Sequence, residues 1–160
     1  MSLISKIVPT TVSARRFKWL ISVFPPFLGA GIRVDYVSED FSSARVKMHL
    51  RFYNANYWGT HFGGSLTSMT DPFFALLTIA RLGPGYYVWD KAAETVFVAP
   101  GKGTVYATFH VTDAVIEQIK ADTADGSKAL PWFETEVVDA EGNVIAQVRR
   151  QLYVRRKQRD

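Results

Sequence analysis

Gly64-Ser-Leu-Thr-Ser-Met-Thr-Asp-Pro-Phe-Phe-Ala-Leu-Leu-Thr-Ile-Ala-Arg-Leu82 is the stretch on which the fold turns. Leu66, Met69, Phe73, Phe74, Ala75, Leu76, Leu77, Ile79, Ala80 and Leu82 cover nearly every direction around a helix axis, and a helix apolar all round is predicted to be buried all round. Gly83-Pro84-Gly85 ends it, because glycine suits the left-handed C-terminal position and proline cannot continue a helix. The polar residues are few, Ser65, Thr67, Ser68, Thr70, Asp71, Thr78 and Arg81, and of these Thr67, Ser68, Asp71 and Thr78 share one stripe, since positions three, four and seven apart lie on one face. A carboxylate in such a seam either has a raised pKa or has its charge held by donors, and both conditions suit a general base or a nucleophile. A second reading stands beside this one. Pro72 disfavours helical backbone at Asp71 and removes the bond to the Ser68 carbonyl, so that Asp71 marks a local break.

Working outward, Ala44 to Arg51 alternates, with Val46, Met48 and Leu50 on one side and Arg45, Lys47, His49 and Arg51 on the other, the pattern of a half-buried antiparallel strand. Ile32 to Glu39, Tyr86 to Val98, Thr104 to Asp113, Trp132 to Asp139 and Val144 to Arg155 are further strand candidates; Gln147, Arg149 and Gln151 form the polar row of the last. Gly101-Lys102-Gly103 and Ala140-Glu141-Gly142-Asn143 read as hairpin turns, and Ile116 to Lys128 as a polar connection with room for a helical turn. An amphipathic helix is expected from about Thr11 to Phe24, closed by Pro25-Pro26. Strands grouped around one central helix give an α+β fold class rather than alternating βαβ units.

The chain has 160 residues, 48% of them hydrophobic and 14% aromatic, within single-domain range and with enough apolar side chains for a sizeable core. Residues 1–30 are expected to form a helical extension packed on the domain formed by residues 31–160. The net charge of +4 owes much to Arg155-Arg156-Lys157-Gln158-Arg159, a solvated tail rather than a nucleic-acid arm, and no basic run interleaved with aromatics suggests nucleic acid as a partner. The basic and apolar run Arg15 to Phe24 is too short to span a membrane and lacks a cleavage site, so no membrane association is expected. Absence of cysteine rules out disulfides and thiolate metal sites; cytoplasm is the expected location. His49, His61 and His110 lie on separate elements without metal-ligand spacing, so no metal is expected. Neither a Walker loop, a dinucleotide fingerprint nor a nucleophile elbow around Ser65 is present.

The approach to the central helix reads Asn56-Tyr-Trp-Gly-Thr-His-Phe-Gly-Gly64. A glycine pair opening a helix lets a ligand reach backbone N–H groups, where the helix dipole favours negative charge on an oxygen, as in an oxyanion hole. A tight loop-to-helix turn would require the same pair. With this loop the sequence resembles the hotdog-fold thioesterases, in particular their PaaI-like branch and, more closely, the DUF4442-type proteins, from about Gly31 to Val154. In the PaaI-like pattern an Asn, a Gly three residues on, His-Gly-Gly and an acidic residue seven beyond the second Gly form the active site; Asn56, Gly59, Gly63, Gly64 and Asp71 fall on those positions. The Asp71-Pro72 pair and Tyr87-Val-Trp-Asp-Lys91 match the DUF4442-type arrangement. One position departs: Phe62 stands where the pattern has His, and His61 precedes it. Either His61 takes that role, or the site binds acyl groups without turning them over.

The resemblance implies a curved antiparallel sheet wrapped around one long central helix and hydrolysis of an acyl-CoA or acyl carrier protein thioester. No cofactor is implied beyond coenzyme A as part of the substrate. Gly64 N–H would polarise the thioester carbonyl while Asp71 of a neighbouring subunit activates water or attacks; Asn56 would hold the water or the carbonyl. Thr78 would hydrogen-bond substrate or Asp71, and Gly63, Phe62, Ser68 and Trp89 would line the pocket. Lys91, Lys102 and Arg149, and less readily Arg150, are candidates for coenzyme A phosphates. A homodimer or dimer of dimers is expected on physical grounds as well, since one sheet around one helix leaves strand edges open. Tyr57, Trp58, Phe62, Tyr86, Tyr87 and Trp89 suggest an apolar acyl or aryl group, or an interface.

Overall fold

The computed structural model describes residues 12–158. The first element is α1, Ala14–Ser22, capped by the Ser13 side chain, with Ala14, Phe17 and Ile21 buried. The expected start at Thr11 lies outside the described residues, as does Arg159 of the basic tail. Pro25-Pro26 ends α1 and opens α2, Pro25–Ala30, because a proline in the first turn gives up no bonded N–H. Phe17, Ile21 and Phe27 enter the same core as the sheet. Among the described residues no helix is long and apolar enough to cross a membrane.

Seven strands follow: β1 (Ile32–Val37), β2 (Ser43–His49), β3 (Tyr86–Phe97), β4 (Thr104–His110), β5 (Lys128–Ala129), β6 (Trp132–Val138) and β7 (Val144–Arg156). All pairings are antiparallel, in the order β1-β2-β4-β6-β7-β3, with β5 beside the end of β7. Alternation sets the register: Val46 lies opposite Ala107 and Met48 opposite Val105, all four buried. A one-residue slip would turn Arg45 and Lys47 into the core. Ala140 to Asn143 does join β6 to β7 as a hairpin. Gly101 to Gly103 does not make the expected hairpin, because β3 pairs with β7 at one edge while β4 lies between β2 and β6. Its carbonyls instead accept from the preceding loop, Gly101 from His61 N–H and Gly103 from Leu50 N–H, so the turn links strands that do not pair.

The central helix is present but interrupted: α3 spans Gly63–Ser68 and α4 spans Phe73–Leu82. At the break Asp71 N–H bonds to the Ser68 carbonyl three residues back, the geometry Pro72 leaves open. The helix is therefore not buried all round. Phe73, Phe74, Leu77 and Thr78 are buried, whereas Leu76, Ile79, Ala80 and Leu82 are half-covered and Asp71 is exposed. Phe73 stacks on Phe109 at 4.8 Å and Phe74 on Phe133 at 4.9 Å, contacts worth about 1 kcal/mol each beyond their burial. The strand expected to run to Asp113 stops at His110, and a ten-residue helix, α5 (Asp113–Asp122), capped by Thr112 and burying Ile116 and Ile119, extends into the segment expected as a polar connection.

Candidate functional site

Two asparagines build the loop that leads into α3. Buried Asn54 donates to the carbonyls of Ala30 (2.9 Å) and His49 (3.0 Å) and accepts from Arg51 N–H (2.7 Å), tying the loop to α2 and β2. Asn56 donates to Thr60 Oγ1 (2.8 Å) and the His61 carbonyl (3.2 Å) and accepts from the amides of Trp58 (2.9 Å) and Thr60 (3.1 Å). Its side chain is thus spent on closing the loop around Gly59, whose φ of 71° is open to glycine at little cost.

His61 follows, only 3% exposed. Its Nε2 lies 3.1 Å from the Gly103 carbonyl, which can only accept, so the neutral ring carries its proton on Nε2 and presents Nδ1 as a bare lone pair. That Nδ1 is buried and has no partner among the described residues. Burial pushes the His61 pKa down, against the pull of the Gly103 carbonyl. The histidine is a neutral acceptor at neutral pH.

Gly63 and Gly64 then open α3. Neither amide has an acceptor among the described residues, whereas the next two, Ser65 and Leu66, bond to the Phe62 carbonyl. Side chains close over both glycines: a Cβ on Gly63 would stand 2.9 Å from the Phe97 ring, and one on Gly64 would press against the far edge of the Phe62 ring. Asn56, Trp58, His61, Gly63, Phe97 and Lys102 line an open cleft of about 630 Å³ at this point. Lys102 is exposed and makes no salt bridge among the described residues.

A second polar cluster lies at the helix break. Asp71, whose side chain is 62% exposed, accepts from Arg150 Nη1 at 2.6 Å; Arg150, 3% exposed, comes from β7. Asp90 of β3 places Oδ1 at 3.7 Å from the same Nη1. Burial pushes the Asp90 carboxyl up to about 6, opposed by Arg150 and assisted by the charge of Asp71. Of the two outcomes expected for the seam carboxylate, Asp71 has its charge held by a donor, and the raised carboxyl is Asp90.

The remaining expected residues fall apart from the cleft. Ser68 donates back to the Gly64 carbonyl at 2.8 Å, and Thr78 is fully buried with an unpartnered hydroxyl, bonded neither to Asp71 nor to any other described residue. Trp89 stacks on Tyr153 at 4.3 Å across β3 and β7, while Lys91 is exposed on β3. Arg149 is engaged by Glu94 (3.1 Å) and Glu134 (3.0 Å), and Arg150 is buried, so neither stands free for a phosphate. Arg150 was expected only as a lesser phosphate contact and Asp90 only as part of the Tyr87–Lys91 stretch; sequence reasoning missed that both belong to the cluster at Asp71. Their signal was register: Gln147, Arg149 and Gln151 mark the outward row of β7, which leaves Arg150 as a charge among inward Ala146, Val148 and Leu152.

Within one chain the cleft and the carboxylate do not meet. Asp71 lies seven residues beyond Gly64, on the order of 10 Å along a helix axis. Tyr86–Phe97, the strand that borders both, is an edge strand with no fully buried residue, and Val96 and Phe97 are more than half exposed.

Similar proteins share this architecture. A probable thioesterase of unknown function from Pseudomonas aeruginosa superposes with a TM-score of 0.82 at 18% identity, over 91% of this chain and 97% of that one. A thioesterase from Haemophilus influenzae gives 0.68 at 13% identity over 96% and 97%. A mutant of the phenylacetic acid degradation protein PaaI from Thermus thermophilus gives 0.57 at 21% identity over 81% and 98%. No curated protein matches the sequence. The fold is the hotdog fold, with its open antiparallel sheet and central helix. Residues 13–154 match the model of the family described as domain of unknown function DUF4442, and the chain belongs to that family.

Proposed function

We propose that the protein is a thioesterase that hydrolyses an acyl-CoA or acyl carrier protein thioester at a site completed by a second copy of the chain. The observation that carries this reading is the pair of unpartnered amides at Gly63 and Gly64, the first of which lines a cleft with His61 and Lys102. Such amides suit the oxygen of a thioester carbonyl, which gains negative charge as water attacks. Asp71 of the partner subunit takes a proton from that water, the carbonyl carbon gains the oxygen, and the C–S bond breaks to release the thiolate. A thiolate is a good leaving group because its pKa is near 8.5, so no metal or cofactor is called for. Lys102, exposed at the cleft, is the candidate for a phosphate of the coenzyme A portion, and Lys91 is the further candidate.

The edge strand β3 supports the shared site. Antiparallel pairing of two β3 strands about their midpoint would bring the Asp71 region of one protomer towards the Phe97 end of the other, and would cover the open edge. Similar folds carry thioesterase names, which agrees with the reading. A cytoplasmic location accords with the cysteine-free composition. Hydrolysis of short- and long-chain acyl-CoA by the wild type, abolished in Asp71→Ala, is the expected result; full activity in that variant would refute the assignment.

A second reading is favoured by one contact. The Phe62 ring rests on Gly64, where the thioesterase pattern has histidine, and the Asn56 side chain is already satisfied. In that reading the cleft binds an acyl group without turning it over. Thermal stabilisation by long-chain acyl-CoA in the absence of hydrolysis selects it.

A further inference from the structure

Arg150 is a charged residue on the inward register of β7, flanked by buried Val148 and Leu152. A guanidinium withdrawn from water must be met by acceptors, and the identity of these acceptors is informative. Nη1 donates to Asp71 Oδ1 at 2.6 Å, and Nη2 donates to the Thr67 carbonyl at 3.1 Å and to Thr70 Oγ1 at 3.4 Å. Asp90 Oδ1 lies 3.7 Å from Nη1, and Nε has no partner among the described residues. The fork therefore holds the end of α3 and the interruption that follows it, with one arm on the Thr67 carbonyl and Thr70 hydroxyl and the other on the carboxylate. Asp71 uses Oδ1 in this bond; its Oδ2 has no partner among the described residues, and the side chain as a whole is 62% exposed.

A clamp serving only the broken helix would need the Thr67 carbonyl and Thr70 hydroxyl, not two carboxylates. With both ionised, Asp71 and Asp90 give the cluster a net negative charge around one cation, and Asp90 is the more enclosed, its side chain 27% exposed against 62%. Asp90 thus supplies a fixed counter-charge on β3, whereas Asp71 is held at one oxygen and left open at the other.

We propose that Arg150 is a positioning residue for the hydrolysis proposed above: its buried guanidinium fixes one carboxylate oxygen of Asp71 at the helix break and leaves the other to meet water or substrate, with Asp90 as the charge that retains the guanidinium. This rests on the reading of Asp71 as the catalytic carboxylate. A near-attack geometry is sensitive to displacement of about 1 Å, so loss of the fork is expected to act on turnover rather than on substrate capture.

The test compares wild type, Arg150→Gln, Arg150→Lys and the double variant Arg150→Gln/Asp90→Asn. Two readouts are needed: steady-state hydrolysis of an acyl-CoA panel, and the carboxyl ¹³C resonance of Asp71, assigned by its loss in Asp71→Asn. Arg150→Gln is expected to lower kcat by about a hundredfold while KM stays within about threefold. Arg150→Lys, which keeps the charge without the fork, should recover part of kcat. The Asp71 resonance should shift in Arg150→Gln while that of Asp113 stays in place. If Arg150→Gln does not fold, the double variant removes the stranded carboxylate and carries the same comparison. Unchanged kcat in a folded variant, an effect confined to KM, or an unmoved Asp71 resonance would overturn the proposal. A wild type that hydrolyses no thioester would defeat the proposed function alone, and the resonance would still decide whether Arg150 holds Asp71.

Discussion

Asp71 and Asp90 come from a helix break and an edge strand, yet both face one guanidinium, at 2.6 and 3.7 Å from Arg150 Nη1. Their environments differ: Asp71 is largely in water and Asp90 largely out of it. Two carboxylates placed so unequally would divide the roles of the proposed site, one available for chemistry and one serving as a counter-charge.

The enclosure of Asp90 sets a pH dependence. Its carboxyl is pushed from the ordinary 3.8 up to about 6, chiefly by burial. Between those values the native state binds a proton that the unfolded state does not, so stability falls as pH rises through the window. The full effect is of order 3 kcal/mol at the ordinary cost per pKa unit. Asp90→Asn has no such titration. The difference in urea-derived stability between Asp90→Asn and wild type should tilt in favour of the variant by up to about 3 kcal/mol from acid to neutral pH. Parallel curves would exclude an enclosed Asp90.

His61 contributes with the opposite sign. Its folded pKa lies below the usual histidine value because the ring is buried, so the unfolded chain takes up the proton first as pH falls. Its contribution is complete above about pH 6.5 and is lost on acidification below that point. His61→Gln should flatten the acid side of the stability curve relative to wild type, and an unaltered slope would mean that His61 is solvated.

Gly64→Ala separates stability from site chemistry. The added methyl meets the far edge of the Phe62 ring, an exposed side chain that can swing aside, so stability should change by no more than about 1 kcal/mol. Thioester hydrolysis should fall by roughly tenfold or more, because the methyl and the displaced ring crowd the free amides. Equal activity in the two proteins would remove these amides from the site.

Thr78 is fully buried and its hydroxyl has no partner among the described residues. An unmet buried hydroxyl costs about 1–3 kcal/mol, and valine has nearly the same shape. Thr78→Val is expected to raise the melting temperature with hydrolysis unchanged. A fall in activity at constant stability would restore Thr78 to the role that the sequence pattern suggested.

The edge strand can be blunted with proline. Amides alternate in direction along a strand, so one of Ala93 and Glu94 presents its N–H to the open side of β3. Proline at that position should convert a dimer to a monomer in sedimentation velocity with the fold retained, whereas proline at the other breaks a bond to β7 and lowers stability. A wild-type monomer would refute the shared site.

Much of this was legible in the sequence wherever a period was present. The alternation of Val46, Met48, Val105, Ala107 and Phe109 specified strands with a buried face, and the density of apolar residues from Leu66 to Leu82 specified a central helix. Pro72 announced the break. Periodicity carries no information about which strands become neighbours, so the turn at Gly101–Gly103 reads as a hairpin although β3 and β4 lie far apart in the sheet. In the site, the glycine pair and Asp71 could be found by spacing. The Asp71–Arg150 pair, separated by 79 residues, exists only once β7 has taken its register beneath the helix break. The Asn56 hydrogen bonds are likewise a property of a closed loop, invisible in a string of residues.

The contact between Phe97 and Gly63 gives the edge strand a further significance. The last residue of β3 lies where a Gly63 side chain would begin, 2.9 Å from that point, so one wall of the cleft is the strand by which protomers would associate. Assembly and pocket shape would then share one strand. Upon dilution below the dissociation constant of such a pair, turnover would decline more steeply than in proportion to protein, because each site of the proposed kind draws on two chains. The abundance of the chain would itself act as a gain control on its activity.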